Sequence, residues 1–271
     1  MNFFSKIKYY IVRLIEKIPF IQIFIYNFIS YFHFLFPHEK DYYGLKQLVD
    51  IKNKKDFIDV GGNIGLSSIG FRQLGFNNKI IIFEPDQDYC YNKLFKLKKK
   101  LKKINIYNYG LSDKNENKIF YQCYLFGIKM HFLSTFDRKY LLNIIDQVYS
   151  FFKPFFKIKK EKLSLKKFDN LKLNINPIFI KIDVEGFDHK VIKGMLRSIK
   201  KFKPIILVEL NRENFSEINH MLKNNYNPYQ YIFEKKNFKK ISNQQIRHFK
   251  KNFRRDFSFS LPRNVYFIPK K

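Results

Sequence analysis

The chain has 271 residues, two cysteines and a formal net charge of +29. That length buries one substantial α/β core and leaves roughly 40–60 residues for appendages. Cys90 and Cys123 lie far apart without CxxC spacing, and the six histidines form neither an HExxH pattern nor a His/Cys cluster, so no disulfide framework and no dedicated metal site is expected. The charge has three readings: compositional drift toward lysine, an anionic membrane surface, or nucleic acid. Nucleic acid is the weakest of them, because 43 lysines stand against 9 arginines and arginine is the residue that reads phosphates and bases bidentately.

Residues 1–40 form a basic and apolar N-terminal segment. Phe3, Ile7, Ile11, Leu14 and Ile18 recur at helical steps among Lys6, Lys8, Arg13 and Lys17, which predicts an amphipathic helix. Residues 18–37 carry no Asp, Glu, Lys or Arg, and about twenty residues suffice to cross a bilayer at ~1.5 Å each. Gln22, Tyr26, Ser30 and His33 nevertheless draw a polar stripe along the segment, and no small-residue cleavage site follows it. Three placements stay open: lying in the membrane interface, packed on the core or a partner, or spanning. A span oriented with its positive residues inside would carry the rest of the chain away from any cytoplasmic cofactor. The expected location is the cytoplasm, peripheral on the inner face of the membrane, with an anionic membrane surface met through residues 1–37.

Residues 41–271 alternate between helical and strand patterns, which predicts an α/β fold with a Rossmann-like doubly wound sheet. A helix near 42–51 precedes a strand at 56–60, a helix at 64–75 and a strand at 79–84. A lysine-studded helix at 86–102 leads to a strand at 104–109. Residues 118–121 begin a short extra strand, and 122–160 break the rhythm as an aromatic-rich insert. A strand at 177–182, a helix at 187–200, a strand at 204–208 and a helix at 215–223 follow. Residues 229–233 and 264–268 supply closing strands, and the basic stretch 235–255 reads as a solvated loop and helix.

The chemistry gathers where strands end. The stretch Asp59-Val60-Gly61-Gly62-Asn63-Ile64-Gly65 follows an apolar run, and Phe83-Glu84-Pro85 closes the next one. Gly61 and Gly65 permit positive φ and close backbone approach, and the helix that starts near Ile64 turns its free N–H groups into the same crevice. Glu84, at a strand's carboxyl end, suits the two hydroxyls of a ribose. A dinucleotide fingerprint needs glycines at the first, third and sixth positions, but these are Gly61, Asn63 and Leu66. An acid directly before the turn also repels a pyrophosphate. Asp59 instead suits a ligand with a positive amino group and no phosphate, and S-adenosylmethionine is one. Further acids follow the later strands: Asp113 in Gly110-Leu111-Ser112-Asp113, Asp183 and Glu185 in Lys181-Ile182-Asp183-Val184-Glu185-Gly186, and Glu209 after Leu207-Val208. Glu185, just before a helix, reads equally well as a cap.

In order over residues 55–210, these motifs, together with Val191-Ile192-Lys193-Gly194 and Pro204-Ile205-Ile206-Leu207-Val208-Glu209, resemble those of the FkbM-type methyltransferases. The Lys-Ile-Asp-Val-Glu-Gly segment is the most specific piece. The resemblance implies a seven-stranded class I methyltransferase sheet ending in an antiparallel hairpin, S-adenosylmethionine as donor, and O-methylation of a sugar, cell-envelope glycan or polyketide-type hydroxyl. Gly62 stands where an alanine is more usual, which reads as a mild change. On this reading Asp59 holds the methionine amino group and Glu84 the ribose. Asp113 or its neighbours meet the adenine, and Gly61, Gly62, Asn63, Gly65, Pro85, Ser112 and Glu185 complete the cofactor site. Asp183 is the first choice of base, with Glu209 and His131 in reserve. The insert, with Tyr124, Phe126, Phe132 and Phe136, either roofs the acceptor site or merely covers the sheet edge. Two other classes stay open: a nucleic-acid methyltransferase or RNA-binding module, for which the Asn/Asp-Pro-Pro-aromatic loop of base methylases is missing at Asp183, and a non-catalytic membrane-associated scaffold.

Overall fold

A computed structural model gives the fold for residues 36–130, 133–184, 186–209, 214–242, 245 and 264–270. Nearly all of the segment expected over residues 1–37 lies outside the described residues, as do His131, Phe132 and Glu185. No helix of the described residues is long and apolar enough to cross a membrane. The described residues divide into two compact units, one drawn from 36–116 and 164–270 and the other from 117–163.

Helix α1 (Tyr42–Leu48) opens the larger unit and β1 (Asp56–Val60) follows. Next come α2 (Leu66–Gln73) and β2 (Ile80–Phe83). The lysine-rich stretch beyond is helical in three pieces: α3 (Gln87–Tyr89), a π-helical Cys90–Leu94 and α4 (Phe95–Lys100). The strands β3 (Ile104–Tyr107) and β4 (Gly110–Ser112) complete this half. The smaller unit is made by β5 (Glu116–Leu125), β6 (Ile128–Lys129), α5 (Arg138–Val148) and the first part of β7 (Phe156–Lys167). The larger unit resumes with β8 (Pro177–Ile182), α6 (Asp188–Gly194), α7 (Leu196–Phe202) and β9 (Ile205–Glu209). It closes with α8 (Phe215–Leu222), β10 (Tyr226–Ile232), β11 (Asn237–Lys240) and β12 (Asn264–Pro269).

The main sheet runs β11-β10-β12-β9-β8-β1-β2-β3. Its β3, β2, β1, β8 and β9 are parallel, while β12 is antiparallel to both its neighbours. Strand residues alternate between faces, and both faces are apolar because helices cover both. Ile58, Val60, Ile81, Phe83, Ile180, Ile182, Ile206 and Val208 share one core with residues of α6, α7 and α8. Phe57, Ile80, Ile82, Phe179, Ile205 and Leu207 share the other with α1 and α2. Asp59 and Lys181 are in step with Phe57 and Phe179, so they enter the second layer.

The doubly wound class is as expected, with one strand more. Asn237–Lys240, read as part of a solvated basic connection, pairs antiparallel with β10. The reason is Phe238, whose ring packs against Tyr231 and Tyr266 at 5.2 Å from each. The helix expected over 187–200 is broken at Met195 into α6 and α7. Gly194 ends α6 against β4, where a Cβ would lie 2.1 Å from the Ser112 carbonyl oxygen. Arg72 fastens the end of α2 by donating to the carbonyls of Phe76 (2.7 Å), Asn78 (2.9 Å) and Lys102 (2.9 Å).

In the smaller unit, β5 turns through Phe126 and Gly127 into β6, pairing Tyr124 with Lys129 and Leu125 with Ile128. Asp137 caps α5 by accepting from the amides of Lys139 (2.8 Å) and Tyr140 (3.1 Å). Cys123, Leu125, Met130, Leu133, Leu141, Ile145 and Tyr149 form a core of its own.

Candidate active site

The carboxyl ends of β2, β1 and β8 stand side by side, and the glycine turn is stitched to both flanking strands. The amides of Gly61 and Gly62 donate to the Phe83 carbonyl at 2.9 and 3.3 Å, and the Asp183 amide donates to the Val60 carbonyl at 3.0 Å. Gly61 has φ +82, and a Cβ there would lie 1.9 Å from the Asp183 carbonyl oxygen. The glycine is therefore needed for strand-to-turn contact before any ligand is considered. Gly62 is also constrained: an added Cβ would sit 2.2 Å from Ile82 Cγ2. Glycine in place of alanine is thus not a mild change, since alanine would push on a buried strand residue. Gly65, at φ +89, begins α2 without any side-chain cap.

Glu84 holds this turn from the next strand. Its Oε2 accepts from the Asn63 amide at 2.7 Å, and its Oε1 from the Asp86 amide at 2.9 Å. One carboxylate thus orders both the glycine turn and the start of α3, which Asp86 caps. Asn108, which belongs to none of the expected motifs, donates from Nδ2 to the carbonyls of Glu84 (3.0 Å) and Pro85 (3.2 Å). The adjacent Cys90 thiol is buried and pushed up to about 12, first by burial and then by Glu84.

Under the turn lies a polar cluster. Asp59 is fully buried; its Oδ2 accepts from Ser68 Oγ at 3.2 Å, while Oδ1 is buried with no hydrogen-bond partner among the described residues. Burial raises its carboxyl to about 6, against the opposing pull of the Lys181 charge and the Ser68 hydroxyl. Lys181, 3 % exposed, donates from Nζ to Asp183 Oδ2 at 2.9 Å. Burial alone would lower its ammonium, but Asp183, then Tyr42 and Asp59, raise it well above the ordinary lysine value. Lys181 is therefore a fixed cation and not a base. Asp183, 28 % exposed, is the accessible end of this pair. Asp188 is almost wholly buried, accepts from the Val184 amide at 3.3 Å, and is raised to about 7 by burial and then by Asp183.

The other candidates are placed as follows. Glu209 ends β9, half-buried and opposite Asn264. Pro85 is half-buried beside Gly110. Ser112 is buried and donates to Asp113 Oδ1 at 3.3 Å, while Asp113 Oδ2 meets Lys193 Nζ of α6 at 3.2 Å. Burial would raise Asp113, yet Lys193 outweighs it and holds the carboxyl below its usual range. The structure thus joins Asp59, Gly61, Gly62, Asn63, Glu84 and Asp183 through direct contacts or shared charge, whereas Asp113 is tied to α6. His131 and Glu185 lie outside the described residues.

Lys181 and Asp188 were not among the expected site residues. A lysine inside the apolar run Phe179-Ile180-Lys181-Ile182 is itself a signal, because a buried charge requires a partner and Asp183 is two residues on. Chemically, the described residues around Asp59, Glu84 and Asp183 offer several carboxylates and a cation, Lys181, that Asp183 already neutralises. Together they attract a cationic ligand and repel phosphate.

A family model described as the methyltransferase FkbM domain matches residues 59–238. No curated protein matches the chain. Among solved structures, a methyltransferase FkbM from Methylobacillus flagellatus KT is similar at 15% identity and a TM-score of 0.46, over 79% of this chain and 43% of that one. This chain therefore spans less than half of that protein. A precorrin-6y C5,15-methyltransferase from Geobacter metallireducens GS-15 is similar at 12% identity and a TM-score of 0.40, over 86% and 87% of the two chains. The plantazolicin methyltransferase BpumL, in complex with SAH, is similar at 11% identity and 0.40, over 98% of each.

Proposed function

Because the chain belongs to the FkbM methyltransferase family, we propose that its strand ends bind S-adenosylmethionine and that it methylates a hydroxyl of a sugar or cell-envelope glycan. The observation that carries the cofactor reading is Asp59, whose buried Oδ1 has no partner among the described residues and lies beneath a turn pressed onto Asp183. A carboxylate in that state favours a cation and disfavours a phosphate. When bound, S-adenosylmethionine supplies a methyl group on a positively charged sulfur, with a neutral thioether as leaving group.

The chain's own work is binding, alignment and proton removal. Glu84, which accepts from the Asn63 and Asp86 amides, stands at the carboxyl end of β2, where a carboxylate suits ribose hydroxyls. Asp59 acts on the ligand's ammonium from below. Asp183 takes the acceptor's proton, a step that gains about 10²–10⁴-fold when a base is in hydrogen-bond reach. Lys181 fixes the Asp183 carboxylate, and Asp188, titrating near neutrality behind it, keeps a second full negative charge from building up there.

The Asp59 carboxyl gives this reading a pH signature. Below about 6 it is protonated in the free protein, so a cationic ligand must displace that proton; above about 6 it is already ionised. Affinity for S-adenosylmethionine should rise with pH by up to about tenfold per unit below 6 and level off above it. Calorimetry from pH 5 to pH 8 checks this, and Asp59→Asn should flatten the profile. A wild-type profile that is already flat would remove Asp59 from the site.

The acceptor is tested directly. Incubation of the protein and S-adenosylmethionine with a cell-envelope glycan extract should release S-adenosylhomocysteine and add one methyl group to a glycan hydroxyl, read by mass spectrometry. Methyl incorporation into RNA, with none into glycan, would overturn the acceptor class while leaving the cofactor reading intact.

A further inference from the structure

Among the described residues, exposed large apolar side chains are concentrated in the smaller unit, and its most exposed part is one tip. Phe151 is 82 % exposed, Phe126 and Phe155 are 48 %, and Ile128 is 44 %. The tip is joined together: the Phe126 and Phe155 rings stack at 4.5 Å, and the Phe126 amide donates to the Phe155 carbonyl at 3.4 Å. Phe151 and Phe155 belong to one short 3-10 helix, Ser150–Phe155, and Ile128 follows the hairpin turn.

Folding alone does not explain this tip. Phe126 holds φ +49 in the left-handed region, where a bulky residue is strained and an Asn or Gly would be at ease. The turn thus holds an unfavourable backbone at an aromatic residue that stays half-exposed. An exposed apolar cluster of this kind marks an interaction site.

Charge identifies the partner. Over residues 117–163 eight lysines and one arginine face three acids. Asp137 caps α5, Asp146 pairs with Lys153 at 2.6 Å, and Glu161 accepts from Gln122. The β7 lysines Lys157, Lys159, Lys160 and Lys162 are exposed. A second copy of this chain would bring two basic surfaces together. Single-stranded RNA would use the rings for stacking, but Ile128 and the exposed Val148 of α5 have no π-face to stack. Exposed phenylalanines and aliphatics among lysines fit the interface of an anionic bilayer, where rings enter the headgroup–acyl boundary and lysines meet lipid phosphates.

We propose that the tip formed by Phe126, Ile128, Phe151 and Phe155 docks this protein on an anionic lipid surface. The docking rests on the smaller unit alone and does not depend on the methyl-transfer reading.

The test is flotation of the full chain with vesicles of phosphatidylcholine and phosphatidylglycerol, against phosphatidylcholine alone. Wild type should partition into the mixed vesicles and only weakly into the neutral ones. Phe151→Ser with Phe155→Ser should weaken partitioning about tenfold or more in a protein that still unfolds cooperatively. Phe126→Asn, which relieves the backbone while removing the ring, should weaken binding and melt no lower than wild type, so misfolding cannot mimic the result. Undiminished binding in these variants would overturn the proposal. So would equal binding to neutral vesicles, capture of single-stranded RNA without vesicle binding, or self-association through the tip without vesicle binding.

Discussion

Asp183→Asn is expected to lower turnover by about 10²–10⁴-fold, the range lost when a positioned base is removed, with the S-adenosylmethionine affinity changed by less than about threefold. A base acts on the acceptor only in the transition state, so kcat should fall with little change in cofactor binding. The substitution is well suited to the site. Asparagine keeps a side-chain oxygen to accept from Lys181 Nζ, and the Asp183 backbone bond to Val60 is untouched. What it removes is the carboxylate charge beside a buried ammonium, so a lower melting temperature should accompany the loss of turnover. Assays therefore belong well below that transition. Wild-type turnover in this variant would move the base elsewhere, with Glu209 next in line at the end of the neighbouring strand.

Gly61→Ala should be among the most damaging single substitutions in the larger unit. It meets two costs: about 1–2 kcal/mol for an L side chain at positive φ, and about 1–3 kcal/mol for overpacking. The second is at its upper end because the obstacle is the Asp183 backbone carbonyl rather than a flexible side chain. Gly127 supplies the control, since it has nearly the same φ, +81, and nothing among the described residues within 4 Å of an added Cβ. Gly127→Ala should therefore show only the backbone cost. Urea unfolding followed by circular dichroism should find Gly61→Ala weaker by on the order of 3–5 kcal/mol and Gly127→Ala by about 1–2 kcal/mol. Equal losses in the two variants would mean that the contact between the turn and Asp183 is unimportant. Any folded Gly61→Ala protein should also have lost turnover, because its turn must move Asp183.

The parallel core was the most legible part of this chain. The bounds of β1 and β8 match the apolar runs that announced them, and the family resemblance carried by the glycine turn and the Lys-Ile-Asp-Val-Glu-Gly segment holds. β11 was hidden because its lysines look solvated and only Phe238 reaches the core. β7 was hidden for another reason. Its inward positions are Phe156 and Ile158, then Glu161, Leu163 and Leu165, so the alternation changes phase in mid-strand and no period of two survives. The acids at strand ends were legible because each closes an apolar run. Asp188 was not, since an acid in the first turn of a helix ordinarily faces solvent and complements the dipole; its burial comes from the fold around the Asp183 turn. Lys181 is legible only once β8 is known to be buried, because a charge inside an apolar strand then requires a partner, which Asp183 supplies.

Titration calorimetry of S-adenosylmethionine into wild type and Glu84→Ala at pH 7.5 tests most directly whether the glycine turn and Glu84 form its site. One ligand should bind per wild-type chain, and Glu84→Ala should weaken it by about 10–100-fold, the value of charge-assisted hydrogen bonds, in a protein that still unfolds cooperatively. No binding to wild type, or undiminished binding to a folded Glu84→Ala variant, would contradict the account.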